Sequence, residues 1–135
     1  MLLVEQMREH DIPMDASGVG RAVDGALAGP ERATILVART LEPPALVVGV
    51  AYLAYTWTLE HGGLSCWLEE LYVSPPHRER GIGRALLLSA LEHAREAGCA
   101  AMDLEVEESH DRAAHLYLRE GFLAHTRRRF VRKFG

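Results

Sequence analysis

The segment between Trp67 and Leu88 limits what this chain can fold into more than any other stretch. Leu68–Val73 is rich in apolar and aromatic residues and predicts a strand, after which two prolines and a short loop lead into a helix. Gly81 and Gly83 stand at the start of that helix, where glycine lets a ligand approach the backbone and the first turn attracts anions. Three arginines surround the loop: Arg78, Arg80 and Arg84. The segment therefore predicts an anion-binding turn for a phosphorylated cofactor.

The glycine pair alone does not decide this, because an isolated Gly-x-Gly most often serves a tight strand-to-helix turn. Two nucleotide-binding signatures are excluded. The loop lacks the G-x-x-x-x-G-K-S/T sequence of nucleotide-hydrolysing P-loops, and Leu86 stands where the dinucleotide fingerprint G-x-G-x-x-G requires its third glycine. A nucleotide-binding switch is therefore not expected.

Length and charge set outer limits on the function. A chain of 135 residues is long enough for one domain with its own core, so we expect a single domain over residues 1–135. The net charge of −4 argues against a nucleic-acid partner, and no apolar run reaches the about 18–20 residues that span a bilayer. Residues 1–10 lack the layout of a signal peptide, so we expect a cytoplasmic protein without a membrane partner.

Metal chemistry is not expected from the cysteines and histidines. Cys66 and Cys99 have no C-x-x-C spacing and are interpreted as small buried side chains. The histidines show neither H-E-x-x-H nor a compact Cys/His cluster, so no metal is predicted.

The remaining pattern predicts helices and strands around one central sheet. Apolar residues recur at helical spacing over residues 2–10 and again from Ser17 to Leu27. Strands are predicted over residues 34–39, 46–58, 64–73 and 101–106, helices over 81–97 and 111–120, and one or two closing strands over 122–134. This order is typical of an α/β or α+β domain.

Three linked motifs resemble the GCN5-related N-acetyltransferase (GNAT) family. Residues 78–83 resemble its R/Q-x-x-G-x-G/A signature, and Glu69–Val73 with Pro75 resembles its central strand. Residues 113–122 resemble the A-x-x-x-Y-x-x-x-G-F segment of its final helix. Order and spacing agree over roughly residues 34–134, and the small amine acetyltransferases of the diamine type are the most similar subgroup.

The resemblance implies a fold and a cofactor. The fold is a single central, mixed and mostly antiparallel sheet flanked by helices, as in acyl-CoA acyltransferases, with little room for the family's first strand. The cofactor is acetyl-CoA. The residues that match the family's cofactor contacts are Leu71, Tyr72 and Val73 for the pantetheine arm, Arg78, Glu79, Arg80, Gly81, Ile82, Gly83 and Arg84 for the pyrophosphate, and His110, Ala113 and Tyr117 downstream. Glu79 replaces a common glycine, and His110 replaces a frequent asparagine.

The resemblance also implies catalytic roles, some of which stay open. A bulge in the central strand would separate it from the next strand and free an N–H, that of Leu71, for the thioester oxyanion. Glu69 matches the carboxylate that binds and deprotonates the amine; strand alternation puts Glu70 on the opposite face, and Glu105 is a second candidate base. Tyr117 matches the acid that protonates the CoA thiolate. The alternatives are solvent-exposed glutamates and a tyrosine that only packs on its helix.

The acceptor side is predicted from aromatic residues before the central strand and from acidic residues on it and on the strand beside it. These residues are Tyr52, Tyr55, Trp57, Glu69, Glu70 and Glu105. Aromatic rings beside carboxylates suit a cationic amine, although core packing and dimer contacts are the alternative. The expected function is acetyl transfer from acetyl-CoA to a primary amine of a small molecule such as a polyamine. A catalytically silent acyl-CoA sensor and an acetyltransferase for a protein amine are the alternatives. A homodimer is compatible with the basic closing segment from Arg127 to Lys133.

Overall fold

The structure is a computed structural model that describes residues 16–107 and 110–135. Its helices are α1 (Ala16–Ala28), α2 (Ile82–Glu96) and α3 (Asp111–Arg119), and a 3₁₀ turn covers Pro75–His77. Its strands are β1 (Ala33–Arg39), β2 (Val47–Thr58), β3 (Gly63–Val73) and β4 (Met102–Asp103). The helix predicted over residues 2–10 lies outside the described residues. None of the described helices is long and apolar enough to cross a bilayer.

One mixed sheet organises the first of two compact units, which ends at Glu105. The strand order is β1-β2-β3-β4; β1, β2 and β3 are joined antiparallel, and β4 runs parallel to β3. Helices α1 and α2 belong to the same unit. The predicted central, mixed and mostly antiparallel sheet flanked by helices is therefore confirmed. The second unit, Val106–Gly135, contains α3.

Each face of the sheet packs against one helix. A Cβ added to Gly49 would lie 2.8 Å from Cδ1 of Leu86 in α2, so α2 covers the face to which Gly49 belongs. Val50, the next residue of β2, packs instead with Val19 of α1. We call these surfaces the α2 face and the α1 face. Because side chains alternate along β2 and paired residues share a face, the strand register assigns each sheet residue to one of them.

A β-bulge interrupts β3 at Glu69. Tyr52 of β2 is paired with Glu70, but the next residue of β2, Leu53, is paired with Leu68, so Glu69 has no register partner in β2. Because of the extra residue, the side chains after the bulge lie on the opposite face from the one that regular alternation would give them. As a result, Leu68 lies on the α2 face, whereas Glu70 lies with Tyr52 on the α1 face. The bulge expected in the central strand is therefore present.

The strand predicted over residues 101–106 is wrong in its length, because only Met102–Asp103 is a strand. Its parallel pairing with β3 covers two residue pairs, Cys66 with Met102 and Trp67 with Asp103. The bulge residue follows Trp67 by two positions. Because a bulge sharpens the twist of its strand, the pairing between β3 and β4 ends there. The second half of β3 thus extends beyond the part that β4 covers.

The closing strands predicted over residues 122–134 are also wrong, because the structure has no strand in this segment and most of its side chains are exposed. The arginines explain the difference. Arg127 and Arg129 would fall on one side of a strand and Arg128 and Arg132 on the other. Neither side is therefore apolar enough to be buried against a sheet.

Candidate functional site

The glycine loop has the backbone geometry of an anion-binding turn. Glu79 and Gly81 have positive φ angles of 65° and 78°, and such residues between ordinary ones turn N–H groups toward one side. The Ala85 N–H donates to the Gly81 carbonyl at 3.0 Å and begins the hydrogen bonding of α2, so the amides just before Ala85 lie outside the helical ladder. The loop can therefore present N–H groups to a phosphate.

Different physical reasons explain why the loop has glycine at positions 81 and 83. Gly81 has a positive φ, so the turn alone accounts for it. Gly83 lies in the first turn of α2, where an added Cβ would be 3.8 Å from Cγ2 of Val73, an ordinary contact distance. Packing does not require glycine at position 83, although a helical glycine costs about 1 kcal/mol relative to alanine. A ligand that approaches the backbone closely would explain this residue.

Arg78 connects the loop to the end of β3. Its Nε donates a hydrogen bond to the Val73 carbonyl at 2.8 Å. Its guanidinium carbon lies 5.2 Å from the centroid of the Tyr72 ring, a cation–π contact. Two segments that the sequence assigns to the cofactor, the strand end and the loop, are therefore held together by one side chain.

Replacing Glu79 by glycine is expected to stabilise the fold by roughly 0.5–1 kcal/mol. A side chain in the left-handed region costs about 1–2 kcal/mol, and the greater flexibility of unfolded glycine returns part of that gain. Because the change also removes a negative charge from the loop, we expect the CoA that the sequence resemblance implies to bind about two- to tenfold more tightly. Urea unfolding and calorimetric titration with CoA measure the two effects. Glu79→Gln is the matched control, since it removes the charge and keeps the strained backbone; a glycine variant less stable than both other proteins would contradict the expectation.

The two glutamates of β3 lie in different environments. Glu69, the bulge residue, is exposed, whereas Glu70 is half-buried on the α1 face. Burial raises the pKa of Glu70 to about 7, and the charge of Glu69 contributes to the same shift. The two carboxyl groups thus differ in burial. The regular alternation of a strand does not predict this difference.

The aromatic residues of β2 are divided between the two faces. Tyr52 is the register partner of Glu70, and burial together with the charge of Glu69 raises the pKa of its phenol. Tyr55 falls on the α2 face, where its hydroxyl hydrogen-bonds Thr34 Oγ1 at 2.9 Å. The sequence placed Tyr52 on the acceptor side with Tyr55 and Trp57 and did not choose among the three. The signal that identifies Tyr52 is the strand register, which an alternating pattern alone does not supply.

Trp57 and the β2–β3 turn form a separate exposed surface. The Trp57 side chain is 79% exposed and lies on the same side of β2 as Tyr55. It lines a shallow cavity of about 350 Å³ with other residues of the turn: Thr58, Leu59, Gly62 and Gly63. The structure therefore does not place Tyr55 and Trp57 on the face that carries Glu70.

The second compact unit carries the remaining predicted cofactor residues on α3. Tyr117 is half-buried and makes an edge-to-face contact with Phe122, with ring centroids 5.7 Å apart. His110 occupies the N-cap position, but its side chain makes no capping hydrogen bond. Ala113 is half-buried in the first turn. Glu105, the other candidate base, is exposed at the end of the first unit.

The cysteines offer no reactive thiolate. Cys66 is fully buried, and burial raises the pKa of its thiol to about 12, with contributions from the charges of Cys99, Asp103 and Glu69. Burial also raises the pKa of Cys99, which is half-buried. Within residues 16–107 and 110–135, no group of three or more potential ligands could hold a metal ion.

Comparisons with known proteins agree on one family. The sequence profile of the acetyltransferase (GNAT) family matches residues 6–122. The chain is 46% identical to the mycothiol acetyltransferase of Propionibacterium freudenreichii over 38% of this chain and 17% of that protein. It is 38% identical to the aminoalkylphosphonate N-acetyltransferase of Salmonella typhimurium over 56% of this chain and 49% of that protein. The chain thus spans half or less of the length of these relatives.

Solved structures agree on the fold. An integron cassette protein from the mobile metagenome of Cole Harbour Salt Marsh has a TM-score of 0.81 at 24% identity, over 99% of this chain and 81% of that one. A transcriptional regulator from Bacillus halodurans has a TM-score of 0.74 at 26% identity, over 90% of this chain and 78% of that one. The chain therefore shares its fold with solved proteins.

Proposed function

Because the chain belongs to the acetyltransferase (GNAT) family, we propose that it transfers the acetyl group of acetyl-CoA to the primary amine of a small molecule, by direct attack in a ternary complex. The observation that carries this proposal is a half-buried carboxyl group, Glu70, with a pKa of about 7 on the strand that runs into the glycine loop. A base with that pKa can accept a proton from an amine at neutral pH. The loop supplies the anion site that a CoA pyrophosphate requires.

Acetyl-CoA brings the activated thioester, and the chain supplies binding and orientation. We assign the pyrophosphate to the backbone amides of residues 79–84 and the pantetheine arm to the backbone of residues 71–73. Two observations support this assignment. The glycine at position 83 has no packing reason, and β3 extends beyond its short pairing with β4. His110 and Ala113 are assigned to the cofactor by the family resemblance alone.

Glu70 is assigned as the general base. A free alkylammonium has a pKa near about 10.4, so it must lose its proton before the nitrogen can attack the thioester. A carboxylate with an ordinary pKa is a weak base for this task, whereas burial makes Glu70 a stronger one. Glu69 is exposed and is assigned to attract the cationic amine. The proposal therefore moves the base from Glu69, which the sequence favoured, to its neighbour; Glu105 remains a candidate.

Two further groups complete the proposed reaction. The Leu71 N–H, two residues after the bulge, would donate to the thioester oxygen as negative charge develops there; such a donor is typically worth about 3 kcal/mol. Tyr117 would donate its phenol proton to the departing CoA thiolate. In this scheme the ammonium gives one proton to Glu70 before attack, and the C–S bond breaks as the C–N bond forms. The phenol proton passes to sulfur, and the second nitrogen proton, released once the C–N bond has formed, restores the phenol.

Replacing Tyr117 by phenylalanine is expected to lower kcat by roughly tenfold to a hundredfold, because a positioned acid is lost while the thiolate stays a fair leaving group. Phenylalanine keeps the ring and therefore the contact with Phe122. The measurement is release of the free CoA thiol from acetyl-CoA with a panel of polyamines, amino acids, aminoglycosides and peptides.

The same panel tests the proposed function as a whole. Release that depends on an amine and decreases in the Tyr117→Phe variant supports both the activity and the acid. Equal release by the variant retains the activity and removes the acid. If titration shows that acetyl-CoA binds and no amine gives release, the proposed activity is overturned in favour of a silent acyl-CoA module.

A further inference from the structure

The α1 face carries a second aromatic residue beside Glu70. The register pairs Trp67 with Ala54, and Ala54 follows Tyr52 by two residues on β2. Because paired residues and alternate residues share a face, Tyr52, Glu70, Ala54 and Trp67 all belong to the α1 face. The carboxyl group therefore has an aromatic neighbour across the strands and another along its own strand.

Small residues stand beside the indole in its row of the sheet. Along the row that contains Trp67, the register partner of Ala54 on β1 is Ala33, so two alanines follow the indole across the sheet. A side chain that ends at Cβ leaves the flank of a neighbouring large ring uncovered by the sheet. Trp67, Tyr52 and Glu70 are each partly accessible to solvent. A narrow ligand could thus contact these three side chains from solvent, whereas Ala33 at the far end of the row is buried.

The charges around this row are mostly negative. Asp103 is the register partner of Trp67 on β4, so it also lies on the α1 face, where its Oδ2 meets His61 Nε2 at 2.8 Å. Glu69 adds a further carboxylate at the bulge. Arg78, which stacks on the Tyr72 ring of this face, also donates to the Val73 carbonyl. Burial and the charge of Glu69 both raise the pKa of Glu70.

We propose that Tyr52 and Trp67 form the walls of the acceptor subsite around Glu70, and that this subsite selects a cationic alkylamine without an anionic group near its nitrogen. The inference rests on the proposed acetyl transfer and names the class of acceptor. Aromatic faces attract an alkylammonium, and its apolar chain packs along the rings. A carboxylate or phosphonate close to the amine would instead face Glu69 and Glu70, and like charges at short range are repelled.

Matched acceptors test the selectivity. We compare 1,4-diaminobutane with 4-aminobutanoate and butylamine, and ethylenediamine with 2-aminoethylphosphonate. The expected kcat/KM for each diamine exceeds that of its anionic counterpart by about a hundredfold or more, with butylamine between. Equal or faster transfer to the anionic amines overturns the proposal and leaves the acetyl transfer itself intact.

Substitutions test the two walls. Trp67→Leu and Tyr52→Leu are expected to raise KM for 1,4-diaminobutane about tenfold with a smaller change in kcat, whereas Tyr52→Phe keeps a ring and retains most of the affinity. Phe134→Leu, which removes an exposed ring from the C-terminal segment, is the matched control. Circular dichroism and CoA titration show whether each variant is folded. Unchanged KM in both leucine variants overturns the proposal.

A binding measurement separates this proposal from the proposed function. Calorimetric titration of 1,4-diaminobutane into the protein saturated with CoA requires no turnover. Binding that the Trp67→Leu variant weakens about tenfold supports the subsite even if no acetyl transfer is detected. Absence of diamine binding to the unmodified protein overturns the subsite.

Discussion

Changing Glu70 to glutamine is expected to lower kcat/KM for amine acetylation near about pH 7.5 by about 10²–10⁴-fold, the usual contribution of a general base. Glutamine keeps the size and hydrogen-bonding reach of the side chain but cannot accept the amine proton. The pH profile is the decisive measurement. Since the pKa of Glu70 is about 7, activity of the unmodified protein should rise with pH up to that value and then level off. The glutamine variant should lack the break near pH 7 and should follow only the fraction of free amine, which rises toward about pH 10.4.

Stability gives an independent readout of the same carboxyl group. Below about pH 4.5 Glu70 is protonated in both states, and between 4.5 and about 7 only the folded state retains the proton. The free energy of unfolding therefore falls as pH rises through this window, and the loss is complete above about pH 7. Glutamine removes that loss. Allowing for partial exposure, we expect the variant to be more stable than the unmodified protein above pH 7 by about 1–2 kcal/mol.

Glu69→Gln is the matched control for the neighbouring carboxylate. Because the charge of Glu69 raises the pKa of Glu70, its removal should shift the rise in activity to lower pH without abolishing it. If Glu69→Gln instead causes the larger loss of kcat, the base is Glu69 and the assignment made here is wrong.

Deleting Glu69 altogether is expected to leave the fold intact and to lower kcat by about 10²–10³-fold. The deletion joins Leu68 to Glu70, whose partners Leu53 and Tyr52 are already consecutive, so the ladder becomes regular and no face is exchanged. What disappears is the kink that is expected to present the Leu71 N–H to the thioester oxygen, and loss of one oxyanion donor typically has this magnitude. Thermal unfolding and steady-state kinetics measure the two effects separately.

Two point variants show whether the bulge itself matters. Glu69→Gln removes the charge and Glu69→Gly also removes the side chain, but both keep the extra residue in β3. We expect both to retain far more activity than the deletion. Equal kcat for the deletion and the two point variants would show that the backbone irregularity has no part in catalysis.

The sequence predicted the order of the elements well, because local signals determine it. Apolar spacing and the glycine loop placed α2 correctly, and turn residues separated the first three strands. The closing strands over 122–134 failed for a different reason. The segment has residues with good strand propensity, but its arginines leave no side that a sheet can bury.

The candidate site was harder to predict from the sequence than the fold. A bulge shifts the phase of a strand by one residue, so no pattern within β3 reveals which face Glu70 occupies. The choice among Tyr52, Tyr55 and Trp57 depends on the same phase, since alternate residues of β2 point to opposite faces. Only the register across β2 and β3 identifies Tyr52 and Trp67 as the aromatic neighbours of Glu70.

The contact between Gly49 and Leu86 limits how this chain can diverge. Since a Cβ at position 49 would lie 2.8 Å from the end of the Leu86 side chain, a larger residue there requires Leu86 to move or to be replaced by a shorter residue. Leu86 belongs to the helix that begins at the glycine loop, so an uncompensated change would displace the loop as well as the core. A change at a strand residue far from the loop along the chain can therefore alter the geometry of the loop.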